Sequence, residues 1–174
     1  MLTSFSYAFF PVRPFQPPTD CSIISAYTIL LSPVSRGTVT LRSSNPHDGP
    51  FVDPQFFSSK FDREALFAST RLYLETIHAS EELGAKEFGI DENLQGDYTD
   101  AALYKRACKN GGTVFHPSGT CAMGSVVDPE CCVLGVPNLR VVDASVIPMG
   151  LSTNYQAPVY AIAEQVRALL SRLG

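Results

Sequence analysis

The chain has 174 residues, of which 45% are hydrophobic and 17% are charged, a composition typical of a globular domain large enough to bury its own core. The formal net charge is −4 and the Lys and Arg residues are scattered, so no basic face is expected for nucleic acid. The apolar run near the amino terminus is shorter than the roughly 18 to 20 residues that cross a bilayer, so no membrane span is expected.

The amino-terminal part is expected to begin with an irregular lead-in over 1–20, where prolines interrupt the chain and no cleavable signal peptide is recognisable. Apolar and β-branched residues then predict a strand over 21–31. A second strand is predicted over 37–42, because Val39 and Leu41 alternate with polar residues. The segment after it is dense in turn residues and predicts an ordered loop.

Two helices are predicted in the middle of the chain. Asp62 is a candidate N-cap for a helix that runs to about Leu83, with its apolar residues on one face. The second helix is predicted to begin near Asp97 or Thr99 and to end at Asn110, because two glycines follow.

The carboxyl-terminal third has a different sequence pattern, in which glycines separate short apolar segments. The apolar segment 139–145 is interpreted as a strand that is covered on both faces of a sheet. The last helix is predicted from Pro158, which suits a first turn, and from apolar residues such as Ile162 and Val166 at helical spacing.

The candidate general base is a histidine, and the chain has three. His47 lies in a turn-rich loop and His78 near the end of a predicted helix, so both are interpreted as surface residues. His116 follows an apolar pair and precedes Pro-Ser-Gly-Thr, which places it between a buried segment and a loop that can approach a ligand closely.

One alternative is a Ser-His-Asp hydrolase that would recruit Ser118 or Ser145 together with His116 and Asp143. The chain lacks the G-x-S-x-G turn that orders such a serine. This alternative therefore has only the residue types in its favour.

A second alternative is a zinc site built from His116, Cys121 and the adjacent Cys131 and Cys132. Adjacent cysteines rarely ligate one tetrahedral ion, and the five cysteines show neither paired C-x-x-C units nor a disulfide framework. The cysteines are expected to be buried free thiols, and no metal site is predicted.

A set of motifs then occurs in one order along the chain: HPSGTCAMG (116–124), VVDP (126–129), LGVPNLRVVDASVIP (134–148), Asn154 and YAIAEQ (160–165). Together they resemble the carboxyl-terminal region of the glucose-methanol-choline (GMC) oxidoreductases. The upstream segment SRGTVTLRSSNP (35–46) resembles a strand of that family's substrate-binding domain. The resemblance covers roughly 20–174.

The resemblance implies an FAD-dependent enzyme that acts on CH–OH groups and oxidises an alcohol to an aldehyde or ketone. His116 matches the family's base, which takes the hydroxyl proton while hydride passes to the flavin N5. Asn154 matches a second active-site position that hydrogen-bonds the substrate oxygen or the reduced flavin without titrating. The substrate is a small-molecule alcohol whose identity stays open, as does the choice between oxidase and dehydrogenase.

The resemblance also implies contacts to FAD from two segments. Asp143 and Ala144 match a return strand, and Tyr155, Gln156 and Ala157 match the amino end of the last helix, where partial positive charge suits an anionic reduced flavin. The alternatives are structural, since Asp143 could cap a turn and Gln156 could face solvent.

The fold class implied is α+β, a mixed sheet with flanking helices, with a substrate-domain-like part over 21–112 and a catalytic, flavin-contacting part over 113–174. Members of the family begin with a G-x-G-x-x-G turn that grips the dinucleotide, and this chain has none. An amino-terminal FAD-binding domain is therefore expected as a missing partner. The alternative is a truncated, non-catalytic module that needs a separate FAD-binding domain. The compartment stays open, with secretion of a full-length form as one alternative.

Overall fold

The computed structural model of the chain describes residues 5–6, 28–79 and 96–172. These residues contain helices and short strands, which confirms the α+β class. In chain order the elements are β1 (Phe5–Ser6), β2 (Thr38–Thr40), β3 (Phe51–Asp53), α1 (Lys60–Ala79), α2 (Asp100–Asn110), β4 (Gly112–Thr113), a 3₁₀ helix (Ala144–Val146) and α3 (Gln156–Leu170). The strand expected over 21–31 and the lead-in over 1–20 lie mainly outside the described residues.

The chain divides into two compact units. The helical unit consists of Phe5–Leu30 and Lys60–Thr113. The loop-rich unit consists of Met1–Ser4, Leu31–Ser59 and Val114–Gly174. Residues 31–59 therefore group with the carboxyl-terminal third of the chain, although α1 and α2 separate them in sequence.

Helices α1 and α2 carry the buried side chains of the helical unit. Leu66 of α1 and Leu103 of α2 are fully buried. The predicted start of α2 is confirmed, because Thr99 is its N-cap and the Thr99 hydroxyl accepts a hydrogen bond from the Ala102 amide at 3.3 Å. Strands β1 and β4 pair antiparallel in the same unit.

The predicted N-cap of α1 is wrong. The helix begins at Lys60, so Asp62 lies inside its first turn, where the side chain is fully buried. A carboxylate in the first turn suits the positive end of the helix dipole, which is why the sequence pattern resembles that of a cap. The predicted end at Leu83 lies outside the described residues.

Strands β2 and β3 form an antiparallel hairpin in the loop-rich unit, with Val39 opposite Val52. This confirms the centre of the strand predicted over 37–42. The chain approaches closely beside it, because a Cβ atom at Gly37 would clash with the Asp53 carbonyl oxygen. Glycine is therefore required at Gly37.

The core of the loop-rich unit is a small apolar cluster. Its buried members are Val127, Cys131, Val146 and Val166, with Ile162 among the partly buried residues packed against it. Since Val166 and Ile162 belong to α3, the last helix covers the irregular segments that hold the other members. The first-turn position of Pro158 predicted for this helix is also confirmed.

The strand predicted over 139–145 is wrong. Arg140 makes only an isolated bridge to Cys132, and a 3₁₀ helix follows at Ala144–Val146. The Asp143 carboxylate accepts a hydrogen bond from the Ser145 amide at 2.8 Å, and such local bonds compete with a strand ladder. This segment is apolar because its valines pack against the core cluster of the loop-rich unit, and not because they lie in a sheet.

The 3₁₀ helix is tied to the segment that follows the HPSGT motif. The Cys121 amide donates to the Ser145 carbonyl at 3.0 Å, and the Met123 amide donates to the Val146 carbonyl at 2.9 Å. These bonds hold the two motif-bearing segments side by side. Within the described part of the chain, no helix combines the length and apolar character needed to cross a membrane.

Replacing Val127 by Ala should lower the free energy of unfolding by about 1 to 3 kcal/mol, because a fully buried side chain is lost and a cavity remains. Chemical denaturation followed by circular dichroism measures the change. Val136, which is 47% exposed, provides the matched control, and Val136→Ala should change stability by less than about 0.5 kcal/mol. Equal losses at the two sites would contradict the core assignment.

The thiol of Cys131 should react more slowly with iodoacetamide than the exposed thiol of Cys108. Burial, and next the nearby Asp128 carboxylate, raise the pKa of Cys131, so less of the reactive thiolate forms. The raised pKa also means that stability is fully retained below the pKa of the unfolded thiol, about 8.5, and declines as the pH rises above it. Tandem mass spectrometry of labelled peptides gives the relative rates, and equal rates for both thiols would refute the burial of Cys131.

Candidate active site

The HPSGT loop begins with a backbone distortion at Phe115. Its φ is 61°, in the left-handed region that a bulky residue rarely adopts, and its side chain is 76% exposed. Such strain persists only where the surroundings impose it, and it is common at functional sites. The distortion lies immediately before the candidate base His116.

His116 and Asn154 lie in contact, although 38 residues separate them in the sequence. The distance from His116 Nε2 to Asn154 Oδ1 is 3.1 Å. Asn154 Oδ1 can only accept, so this contact is a hydrogen bond in the His116 tautomer that carries a proton on Nε2. His116 is partly buried and Asn154 is exposed, so the pair is accessible from solvent. The structure therefore brings together the two residues expected to be catalytic.

Tyr155 lies directly against the imidazole of His116. The two rings are stacked, with centroids 5.2 Å apart and planes inclined by 10°. The phenol oxygen lies 3.2 Å from Ser118 Oγ and accepts from the Leu151 amide at 3.3 Å. Tyr155 is only 6% exposed, so its side chain has little surface left for a contact with a cofactor.

The amino end of α3 adjoins this cluster. Gln156 and Ala157 are exposed, the first turn contains no acidic residue, and among the described residues no side chain caps the helix at Tyr155. The first amides of a helix have no partner within the helix, and together with the dipole they favour negative charge. This end of the helix thus has the donors and the sign of potential that suit a negatively charged ligand.

Asp143 and Ala144 lie in the other predicted cofactor segment, at the start of the 3₁₀ helix. The Asp143 carboxylate accepts from both the amide and the hydroxyl of Ser145, so this side chain acts as a turn cap. Ala144 is partly buried. This segment adjoins the His116 loop through the hydrogen bond from the Cys121 amide to the Ser145 carbonyl.

The hydrolase alternative receives no support from the side chains. Ser118 is hydrogen-bonded to Tyr155 and Asp143 to Ser145, so neither makes the bond to His116 that a triad requires. Among the residues that the structure describes, no group of three or more His, Cys, Asp or Glu side chains could hold a metal ion.

Sequence reasoning missed the contacts that Ser118 and Leu151 make with Tyr155. The only available signal was that a buried tyrosine hydroxyl usually finds a partner. That rule predicts that a partner exists, but the partner's identity depends on how distant segments pack.

Comparison with known proteins identifies the family. The family model described as GMC oxidoreductase matches residues 33–163, and the chain belongs to this family. The GMC-type oxidoreductase acuG of Aspergillus aculeatus is 42% identical over 160 residues, covering 90% of this chain and 31% of that protein. The mitochondrial choline dehydrogenase of Homo sapiens is 38% identical over 158 residues, covering 83% of this chain and 26% of that protein.

A solved structure shows the same fold. An FAD-dependent oxidoreductase from Chaetomium thermophilum superposes with a TM-score of 0.75 at 32% identity, covering 85% of this chain and 26% of that chain. Together with the family match, this likeness confirms the GMC-type fold expected from the motifs. The chain spans about a quarter to a third of the length of the relatives it matches.

The hydrogen bond between Tyr155 and Ser118 can be measured by a double-mutant cycle. Tyr155→Phe and Ser118→Ala should each lower the free energy of unfolding. The loss in the double variant should be smaller than the sum of the two single losses by about 0.5 to 1.5 kcal/mol. Denaturant titration measures all three variants. Tyr160 of α3 is 65% exposed, so Tyr160→Phe is the control for loss of a phenol hydroxyl. Strict additivity of the two single changes would show that the hydroxyls do not interact.

Proposed function

We propose that this region forms the catalytic part of an FAD-dependent oxidoreductase that oxidises an alcohol to an aldehyde or ketone, with His116 as the base. The observation that carries the proposal is the contact between His116 and Asn154 in a chain of the GMC family. The pair combines an imidazole, whose ring nitrogen can take up a proton, with a neutral amide that can accept or donate a hydrogen bond.

The two side chains suit a hydroxyl group placed between them. The separation of 3.1 Å also permits the reverse arrangement, in which Asn154 Nδ2 donates to an unprotonated His116 Nε2. That is the form a base requires. An alcohol that displaces this bond donates its O–H to Nε2, while its oxygen accepts from Nδ2. Proton removal by His116 leaves the oxygen negatively charged, and the Asn154 amide stabilises that charge.

FAD fits the residues available at this site. When bound, it supplies the acceptor for the hydride from the carbinol carbon, so two electrons leave the alcohol as its proton goes to His116. Gln156 and Ala157 would hold the cofactor through amides of the first turn of α3, and Tyr155 would contribute only its backbone. Asp143 and Ala144 would likewise contribute backbone groups, because the Asp143 carboxylate is engaged with Ser145.

A second proposal concerns what else this region needs. Because the chain spans 31% of acuG and 26% of the human choline dehydrogenase, activity is proposed to require an amino-terminal FAD-binding domain. On its own, the 174-residue chain would then be a non-catalytic module. The absence of a G-x-G-x-x-G sequence from the chain supports this requirement.

Titration of FAD into the purified 174-residue chain tests the requirement for a further domain. Flavin fluorescence and absorbance should show no saturable change at micromolar FAD, because the amides of one helix end cannot hold the dinucleotide alone. Saturable binding in that range would contradict the proposal that the isolated chain is a non-catalytic module. The role of His116 could then be assayed directly in this chain.

The role of His116 is tested in a chimera that joins the part of acuG preceding the matched region to residues 33–174 of this chain. With excess FAD, reduction of flavin absorbance is followed with a panel of alcohols that includes choline and benzyl alcohol. His116→Ala should lower the rate of flavin reduction by about 10²- to 10⁴-fold, because the base is lost. His47, an exposed residue of a turn, gives the matched control His47→Ala, which should leave the rate unchanged.

Equal rates for His116→Ala and the unmodified chimera, at equal flavin content, would refute the assigned base. Asn154→Ala should also slow reduction but leave a rate above that of His116→Ala, since it removes stabilisation of charge and keeps the base.

A further inference from the structure

The proposed role of His116 as base requires a defined orientation of its imidazole ring. Rotation about the bond that joins the ring to the side chain is broad and poorly restricted by local torsion preferences. The hydrogen bond to Asn154 fixes only the position of one ring nitrogen, and a ring can still tilt about that single contact. Within the described structure the stacked Tyr155 ring, at an inclination of 10°, is the contact that restricts the plane.

Tyr155 is itself held at its far end. Its oxygen is hydrogen-bonded to Ser118 Oγ at 3.2 Å and to the Leu151 amide at 3.3 Å. Ser118 is 4% exposed, so water cannot readily replace this bond. A planar ring that is buried and anchored at its hydroxyl is a rigid surface, in contrast to the exposed Asn154 amide.

Side-chain contacts connect two short segments of the chain. His116 and Ser118 belong to the HPSGT loop, and Asn154 and Tyr155 immediately precede α3. His116 meets Asn154 by a hydrogen bond and Tyr155 by stacking, while Ser118 meets Tyr155 by a second hydrogen bond. Tyr155 therefore contacts both His116 and Ser118.

We propose that Tyr155 is the positioning residue of this active site, holding the plane of the His116 imidazole so that Nε2 is directed at the substrate hydroxyl. The inference rests on the proposed role of His116 as base. When an alcohol displaces the bond between His116 and Asn154, the stacking contact remains and keeps the ring in place. Tyr155 then contributes to the rate without touching the substrate or the cofactor through its side chain.

The unmodified 174-residue chain tests the geometry without any activity. In ¹³C-labelled protein, nuclear Overhauser effects should connect the ring protons of His116 with those of Tyr155. The His116 ring protons should also lie upfield of those of His47, because they lie over an aromatic face. His47→Gln and His78→Gln variants assign the three histidines. Absence of the ring-to-ring effects would overturn the proposal.

The variants separate the ring from its anchor. Tyr155→Phe keeps the stack and loses the hydroxyl bonds, whereas Tyr155→Leu loses both. The upfield shift of His116 should persist in Tyr155→Phe and vanish in Tyr155→Leu. In the FAD-loaded chimera, kcat should fall about ten- to a hundredfold in Tyr155→Leu and less in Tyr155→Phe, with KM changed little in either. The control Tyr160→Leu should leave both readouts unchanged.

The outcomes distinguish this inference from the proposed function. If His116→Ala retains activity, the base assignment fails, and with it the positioning role. If His116→Ala is inactive while Tyr155→Leu keeps both kcat and the His116 shift, only the positioning role is overturned. If the Tyr155→Leu protein does not fold, two measurements decide: the ring-to-ring nuclear Overhauser effects of the unmodified chain and the kcat of Tyr155→Phe. The proposal is overturned if those effects are missing and the kcat of Tyr155→Phe is unchanged.

Discussion

Stacking of Tyr155 on His116 is the interaction on which the geometry of the candidate site depends. It joins a loop that begins with a strained Phe115 to the segment that enters α3. Without it, one hydrogen bond between a partly buried imidazole and an exposed amide would be the only side-chain link of His116 within the described structure. Because Tyr155 is buried and hydrogen-bonded, the stack connects the His116 ring to the interior of the loop-rich unit.

The interior that supports this link is small and is built mainly from irregular segments. Val127 and Val146 lie at its centre, and α3 packs Val166 against them. The helix thus has two roles, since its apolar face covers the core while its amino end follows Asn154 and has no acidic residue in its first turn. A change in the core would therefore move the candidate site as well as lower stability.

The two predicted cofactor segments differ in their acidic residues. Asp143 belongs to the second predicted cofactor segment, and its carboxylate accepts hydrogen bonds from Ser145. The first turn of α3 has no acidic residue. The amino end of α3 is therefore the segment whose dipole and lack of acidic side chains favour a negatively charged ligand.

The sequence by itself determined the family, the α+β class, the start of α2 and the first turn of α3, because these depend on local patterns and on motifs in a fixed order. It also predicted His116 and Asn154 as a pair, and the structure brings the two side chains into contact. It did not determine that 139–145 would form a bridge and a 3₁₀ helix, since an apolar run reports burial and not the partner that buries it. Nor could it place Tyr155 under His116, because the Ser118 and Leu151 contacts that hold the ring arise only when segments far apart in the chain pack together. Tertiary structure decided which side chains meet, and therefore how the imidazole of His116 is held.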